Sequence, residues 1–532
     1  MARSSSFFVP SSTVSVLAIS LGCAMPFASG ASSEVPKVGE PYLSVVPRTE
    51  SEAQRIKSAT APTSDFSKAE KFEENSAGKA TTRARTDHDA FSQSSESLSF
   101  EHELDFKLGN GLFKKLWVSS PSSTLASDGL GPVYNARSCQ RCHLKDGRGH
   151  TPEGADDSRV SMFLRLSVPK PDDVPLTEIE TYLAALDGDA ATPRTAPEPT
   201  YGGQLQDLAI QGHAAEAQME VSYVEQPIAL SDGETASLRV PSYRMTNAGY
   251  GDFAADVQIS PRVAPPMIGL GLVEAIPAAD ILAHEDADDA DGDGISGRAQ
   301  VVWSSEFNTP ILGRFGWKSG HGTVKEQSAD AFAGDIGISS PLAPRPFGDC
   351  TQAQTECLAA VHGDNDERGD EIDAEGLDLV SFYSRNLAVP ARRDVNDPQV
   401  LQGKEVFYNI GCASCHTPKY VTHRLEDDSS KAQSFQLIWP YSDFLLHDMG
   451  EGLADGRPEL RATGSEWRTP PLWGIGLTEQ VSGHTQFLHD GRARSLLEAV
   501  LWHGGEAESA RDTVVDMPSE DRAALIRFLE SL

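Results

Sequence analysis

The sequence predicts a mainly α-helical fold interrupted by a long loop-rich, partly β middle, and three observations carry that reading. A Cys-x-x-Cys-His string occurs twice, about 270 residues apart. Segments 373–387, 400–409 and 518–532 read as helices, with apolar residues such as Leu525, Phe528, Leu529 and Leu532 at three-four spacing. Between about residues 155 and 345, Pro and Gly turns are frequent, and alternation such as Ser237-Leu-Arg-Val240 reads as strand. The 532 residues exceed one core, since about 150 per domain gives roughly three to four units. The formal charge of −33 argues against a nucleic-acid protein, which needs a basic face, and against electrostatic docking on anionic lipid.

In chain order, residues 1–30 read as an export signal: Arg3, an apolar stretch Val14–Met25, then the small residues Ala28-Ser29-Gly30. The stretch is shorter than the ~20 residues a membrane span needs, and no later one qualifies. Cys23 follows Leu21-Gly22, where a lipoprotein signal places its lipidated cysteine, although Ser20 stands where an aliphatic residue is usual. The alternative is a cysteine discarded with the signal. Both readings place the mature protein outside the cytoplasm, either periplasmic or anchored as a lipoprotein at the outer membrane. Residues 31–99 are rich in Ser, Thr, Ala, Glu and Lys and are expected to be a disordered linker, because such a segment buries too little apolar surface to offset its ordering entropy.

The chemistry starts at Cys139-Gln-Arg-Cys142-His143 and recurs at Cys412-Ala-Ser-Cys415-His416. Two thiols at this spacing reach the two vinyl groups of one porphyrin, and the next residue places an imidazole under its iron. Two covalently bound haem c groups are therefore expected, with His143 and His416 as proximal ligands. A paired zinc knuckle is disfavoured by the separation of the two strings, and a redox dithiol would not need His at the same place twice. Cys350 and Cys357 read as a short-loop disulfide in an oxidising compartment, the alternative being two free thiols.

With these residues in place the chain resembles the di-haem oxidoreductases, peroxidase-like proteins also labelled thiol oxidoreductases, which are relatives of the bacterial di-haem cytochrome c peroxidases. The strings that carry the resemblance include Gly129–Arg137, Asp146–Gly149, Arg262–Pro277, Gly313–Lys318, Tyr441–Gly450, Trp467–Trp473, Leu488–Arg492 and Trp502–Glu506. It covers about residues 100–532. It implies a mostly helical protein of two cytochrome c-like haem domains with electron transfer between them. The N-terminal one would span 100–392, including the insertion, and the C-terminal one 393–532.

The resemblance also assigns the distal sides. In the related peroxidases the C-terminal haem takes a Met after a His-Asp-Gly motif and a helix. Here His489-Asp490-Gly491 leads into Ser495–Trp502, and His503 falls near that methionine, so His503 is the candidate distal ligand of the His416 haem. Bis-His ligation would lower its potential relative to His/Met. His447 and His489 are read as pocket-lining or propionate-contacting residues, and Met449 as packing. The N-terminal haem is then the reactive one, and its peroxide chemistry calls for a distal carboxylate that moves a proton. Glu274, in an apolar Gly-rich stretch, is the candidate, against the alternative that it pairs with an Arg such as Arg262. Arg137 is expected at a haem propionate, His150 is the nearest histidine for a distal place, and Trp317 is a candidate electron stepping stone.

Asp289, Asp291 and Asp293 alternate with Gly-containing turns, as in extracellular calcium loops, but Gln300 stands where a closing Glu would be needed; calcium and a solvated acidic turn are both open readings. The reading as a whole is an exported di-haem c-type oxidoreductase, peroxidase-like, with peroxide as oxidant. The electron donor would be a small redox protein, a cytochrome c or cupredoxin presenting a basic face, or a reduced protein substrate. Rival readings are a non-catalytic electron-transfer cytochrome, a protein-modifying di-haem oxidase and an accessory protein of metal uptake.

Overall fold

Helices of about three turns form where the sequence supplies both a cap and an apolar face, and two pairs of them organise the molecule. The computed structural model describes residues 38–152, 161–188, 194–364 and 369–532, so the export signal and Cys23 lie outside the described residues. In the first pair, Glu103–Lys114 packs on Ala374–Arg385, whose N-cap Asp373 accepts the Gly376 N–H at 2.8 Å. In the second, Pro398–Asn409 packs on Ser519–Ser531; Asp397 caps the former, and Pro398 occupies the first turn, where no N–H is missed.

Each pair meets at a glycine. A Cβ on Gly109 would lie 2.1 Å from the Leu379 carbonyl oxygen, and one on Gly403 would lie 1.9 Å from that of Ala524, so the two backbones touch. One turn further on, Phe113 and Phe407 are buried beside His143 and His416, with ring centroids 6.2 and 6.0 Å apart. The helix pairs thus form the walls behind the two short turns Cys139–Cys142 and Cys412–Cys415.

The expectation of a mainly α fold is corrected: helix makes up 32% of the structure and strand 19%, in many small sheets. All but one of the sheets among the described residues are two-stranded. Several strands are two residues long, such as Tyr420–Val421 paired with Leu437–Ile438, and these pin loops together without any period-two signature. With 45 Gly and 33 Pro the chain is interrupted too often for long helices.

The middle of the chain does not stand apart. Its longest element is a hairpin of Gln218–Ala229 and Thr235–Thr246, paired from Gln218↔Thr246 to Ala229↔Thr235. The hairpin lies on the C-terminal half. Tyr243 Oη donates to Asp490 at 2.6 Å, Arg239 donates to the Gly491 carbonyl at 2.9 Å, and Arg522 pairs with Glu234 at 2.9 Å. Met162–Pro169 pairs antiparallel with Gln258–Val263, which leads into the Ala264–Ile268 segment beside His143. Cys350 and Cys357 are joined in a disulfide.

The disordered-linker reading of 31–99 is also corrected over its described part, residues 38–99. Glu50–Thr60 is a helix with a reciprocal Thr49/Glu52 capping box. Phe91 and Ala77 are buried in the core of the body. Glu40 accepts from Arg314 at 2.8 Å and from the Ala278 N–H at 3.1 Å, and its other oxygen bonds His423 at 2.9 Å. Glu73, 1% exposed, pairs with Arg392 and with Lys404, the latter at 2.9 Å. Burial alone would raise the Glu73 carboxyl, but the two cations outweigh it and hold it below its ordinary range. The segment is ordered because its acids neutralise buried cations of the body, an interaction that composition does not reveal.

Candidate functional site

One cavity of about 830 Å³ is lined by residues of both Cys-x-x-Cys-His turns, and His143, His416 and His503 all face it. The three imidazoles are held alike. His143 Nδ1 lies 2.9 Å from the Pro265 carbonyl, His416 Nδ1 lies 2.8 Å from that of Tyr441, and His503 Nδ1 lies 2.7 Å from that of Ala499, one helical turn back. A carbonyl oxygen only accepts, so Nδ1 carries the proton in each ring and Nε2 keeps its lone pair. Burial pushes His143 and His416 down to about 4, which keeps both rings neutral, and lowers His503. His503 is near enough that its charge would further disfavour a proton on His416. Such carbonyl-anchored, neutral imidazoles are the donor form that iron requires.

The thiols of Cys139, Cys142, Cys412 and Cys415 border the same cavity and form no disulfide. Burial pushes Cys139 and Cys412 up to about 12. They are therefore neutral thiols, unlike the depressed-pKa thiolate of a redox dithiol.

Unpaired cations at the cavity test whether a porphyrin fits. The Arg148 guanidinium donates only to the carbonyls of Gln486, at 2.8 Å, and Leu488. The Arg468 guanidinium donates only to those of Gly316, at 2.8 Å, and Thr469, at 3.2 Å. Both line the cavity, burial pushes both down to about 10, and no carboxylate among the described residues lies within ion-pair distance of either. Guanidiniums at the cavity wall that lack an anion suit the carboxylates of a bound porphyrin. His489 adds to this: it stacks on Trp467 with centroids 3.7 Å apart, and its buried Nε2 has no hydrogen-bond partner. The residues present fit haem on both sides.

Other expected residues fall elsewhere. Glu274 does not border the cavity; its carboxylate is 4% exposed, takes the Val324 N–H at 2.8 Å and pairs with Arg385 at 2.5 Å. Away from the cavity, it is placed as the alternative reading had it rather than in the proton-moving role: a buried carboxylate paired with an arginine, here Arg385, while Arg262 pairs with Glu459 at 2.7 Å. Arg137 is likewise corrected: it is exposed, does not border the cavity, and its Nε donates to the Trp117 carbonyl at 2.9 Å. His150 rests against His484 rather than at the cavity. His447 borders it but has both nitrogens engaged, Nε2 with Asp443 at 2.8 Å and Nδ1 with Glu506 at 2.6 Å, which leaves no lone pair for a metal. Met449 and Trp317 also border it, and the Trp317 N–H is bound to the Val263 carbonyl at 2.8 Å. In the acidic loop the carboxylates that converge are Asp286, Asp289 and Asp291; Asp293 instead caps the Ile295 N–H at 2.9 Å.

The two halves of the cavity share a construction that sequence reading missed. Phe315 bridges His321, and Phe487 bridges Ala493, the same six-residue span. Two residues later Thr323 and Ser495 cap the helices Val324–Ala331 and Leu496–Leu501, each accepting the N–H of a Glu, Glu326 or Glu498, at 3.1 Å. Eight residues past the caps stand Ala331 in one half and His503 in the other. The shared spacing of the hydroxyl caps and their glutamates was the available signal.

A sequence profile described as "di-haem oxidoreductase, putative peroxidase" matches residues 71–532. No curated protein matches the chain.

Proposed function

The chain belongs to the di-haem oxidoreductase family, and from that premise we propose that it is an exported, peroxidase-like c-type cytochrome that passes electrons from its C-terminal haem to a reactive N-terminal haem. One observation carries the reading: Ala331 stands at the count from its helix cap where the other half has His503, so the same position offers a ligand in one half and a methyl group in the other.

Cys139 and Cys142 would hold one porphyrin through thioether bonds, and Cys412 and Cys415 the other. His143 and His416 would be the proximal ligands and His503 the distal ligand of the second. Haem bound there supplies iron that exchanges single electrons and, where a coordination position is open, takes a small oxidant. The protein's part is to fix the imidazoles through Pro265, Tyr441 and Ala499, to close one side with His503, and to leave the other side free at Ala331. Arg148 and Arg468 would neutralise porphyrin carboxylates. Peroxide is the oxidant this arrangement suits. The donor is a small redox protein, a cytochrome c or cupredoxin, or a reduced protein substrate, and the charge of −33 favours a basic face on it. Export is supported by the N-terminal sequence and by the Cys350–Cys357 disulfide.

The test is the ligand state of each iron in the purified ferric protein. One high-spin and one low-spin signal, with peroxide consumed at the expense of a reduced donor, is the expected result. Two low-spin signals before and after reduction, without turnover, would instead mark a pure electron carrier.

A further inference from the structure

Resting on the peroxidase-like reading, we propose that His321 is the group that moves the proton of bound peroxide in the His143 half, with Asp330 as the residue that positions it. His321 Nε2 lies 2.9 Å from Asp330 Oδ2, and both residues border the cavity. The pair is specific to this half. The shared construction puts Ala493 at the place of His321, and Trp502 at that of Asp330. The half that keeps its histidine ligand has neither member; the half that lacks the ligand has both. Asp330 is also the residue immediately before Ala331, so the pair sits beside the place left free.

The neighbours do not compete for the role. Glu459 is clamped by Arg262 at 2.7 Å and Arg457 at 2.8 Å. Burial alone would raise its carboxyl, but the arginines hold it well below its ordinary range, so it is a poor base. Asp335 is engaged by the Gln204 amide at 2.8 Å. Around Asp330, burial is outweighed by the bond to His321 and its charge when protonated, and then by the charges of Arg165 and Arg345, which keep it anionic. An anionic Asp330 fixes the proton of His321 on Nε2, and the lone pair is then on Nδ1, where a base can work.

The step balances as H2O2 + 2 H⁺ + 2 e⁻ → 2 H2O. His321 takes the proton from one peroxide oxygen and returns it to the other as the O–O bond breaks, so that the leaving oxygen departs as water. The remaining oxygen takes two electrons, from a one-electron redox protein, and two protons from solvent.

The test uses the full-length holoprotein and reads cyanide association as well as turnover, because hydrogen cyanide must also give up its proton to bind. His321→Gln should slow cyanide association and the peroxide reaction by about 100-fold or more, with haem content and spin states unchanged. Asp330→Asn, which keeps the imidazole, should slow both by a smaller factor and alter the pH profile of cyanide association. If both variants bind cyanide within twofold of wild type, the proposal is overturned. If the wild type consumes no peroxide while cyanide association still depends on His321, the peroxidase reading fails and the proton-acceptor role stands.

Discussion

Ala331 and His503 stand at the same count, each eight residues past a capping hydroxyl, Ala331 as the last residue of its helix and His503 two residues beyond the end of its own, and this difference sets the two halves of the cavity apart. It leads to a reciprocal pair of outcomes. Ala331→His should place an imidazole on the free side of the N-terminal haem, remove the high-spin ferric signal and reduce peroxide turnover by more than about 100-fold, as expected when the reacting position is blocked. His503→Ala should create a second high-spin signal and leave the first in place. Electron paramagnetic resonance of the two variants decides the assignment; an unchanged spectrum in Ala331→His would refute it.

Arg468 is buried and Arg148 half-buried, neither with an anion, and bound haem is expected to supply one. Replacing either with Met removes a positive charge beside a porphyrin, which favours the oxidised iron. The midpoint potential of one haem should fall by roughly 60 mV, a tenfold change for a one-electron couple. Redox titration of each variant measures it. Potentials that do not move would mean that the guanidiniums face something other than the porphyrin carboxylates.

The paired glycines allow a contrast within one helix. Gly109→Ala puts a methyl group against the Leu379 carbonyl and should cost about 2 kcal/mol, despite the better helix propensity of Ala. Gly111, in the same helix Glu103–Lys114, has nothing within 4 Å of a built Cβ. Gly111→Ala should therefore stabilise the protein by about 0.5–1 kcal/mol. Denaturant unfolding of the two variants should shift in opposite directions.

These glycines also show where sequence legibility ends. The Cys-x-x-Cys-His turns could be read because their chemistry is fixed over five residues, and the helices at Ala374–Arg385, Pro398–Asn409 and Ser519–Ser531 could be read from their caps and periodicity. A mid-helix glycine reads only as a propensity cost until its neighbour across the crossing is known. Glu73 reads as one more acid in a polar stretch, since its partner Lys404 is 331 residues away. The small strands between loops have too few residues to show a period, which is why the chain looked more helical than it is. Glu274 was legible as buried, yet burial marks anchors and catalysts alike, and only its partners separate them.

The anchoring of residues 38–99 has a pH signature. Burial raises Glu40 and Glu73 while their cationic and hydrogen-bonding partners lower them, and the net is a value below the ordinary 4.5. Each therefore binds its proton more weakly folded than unfolded. Their contribution is complete above the unfolded carboxylate value and is lost as pH falls through the lower folded one. Proteolytic release of this segment should begin in that acid window. Glu73→Gln should bring it on at neutral pH and cost about 3–5 kcal/mol, because Arg392 and Lys404 stay buried with their charge uncompensated.

Glu274 separates an anchor from a catalyst. Its carboxylate ties the Val324 N–H, at the start of the helix that carries Asp330 and Ala331, to Arg385 on the opposing helix. Glu274→Gln keeps the shape but loses the charge, leaving Arg385 with a weaker partner. A loss of about 1.5–3 kcal/mol is expected, in line with hydrogen bonds to charged groups. Peroxide turnover per folded holoprotein should stay within about threefold of wild type, because Glu274 itself does not border the cavity and proton transfer is worth far more than that. His321→Gln should show the opposite pattern, with stability nearly unchanged and turnover lost. Measuring Tm and turnover for both variants under one set of conditions decides between the two residues: a hundredfold loss in Glu274→Gln at unchanged Tm would return the proton-moving role to the buried glutamate.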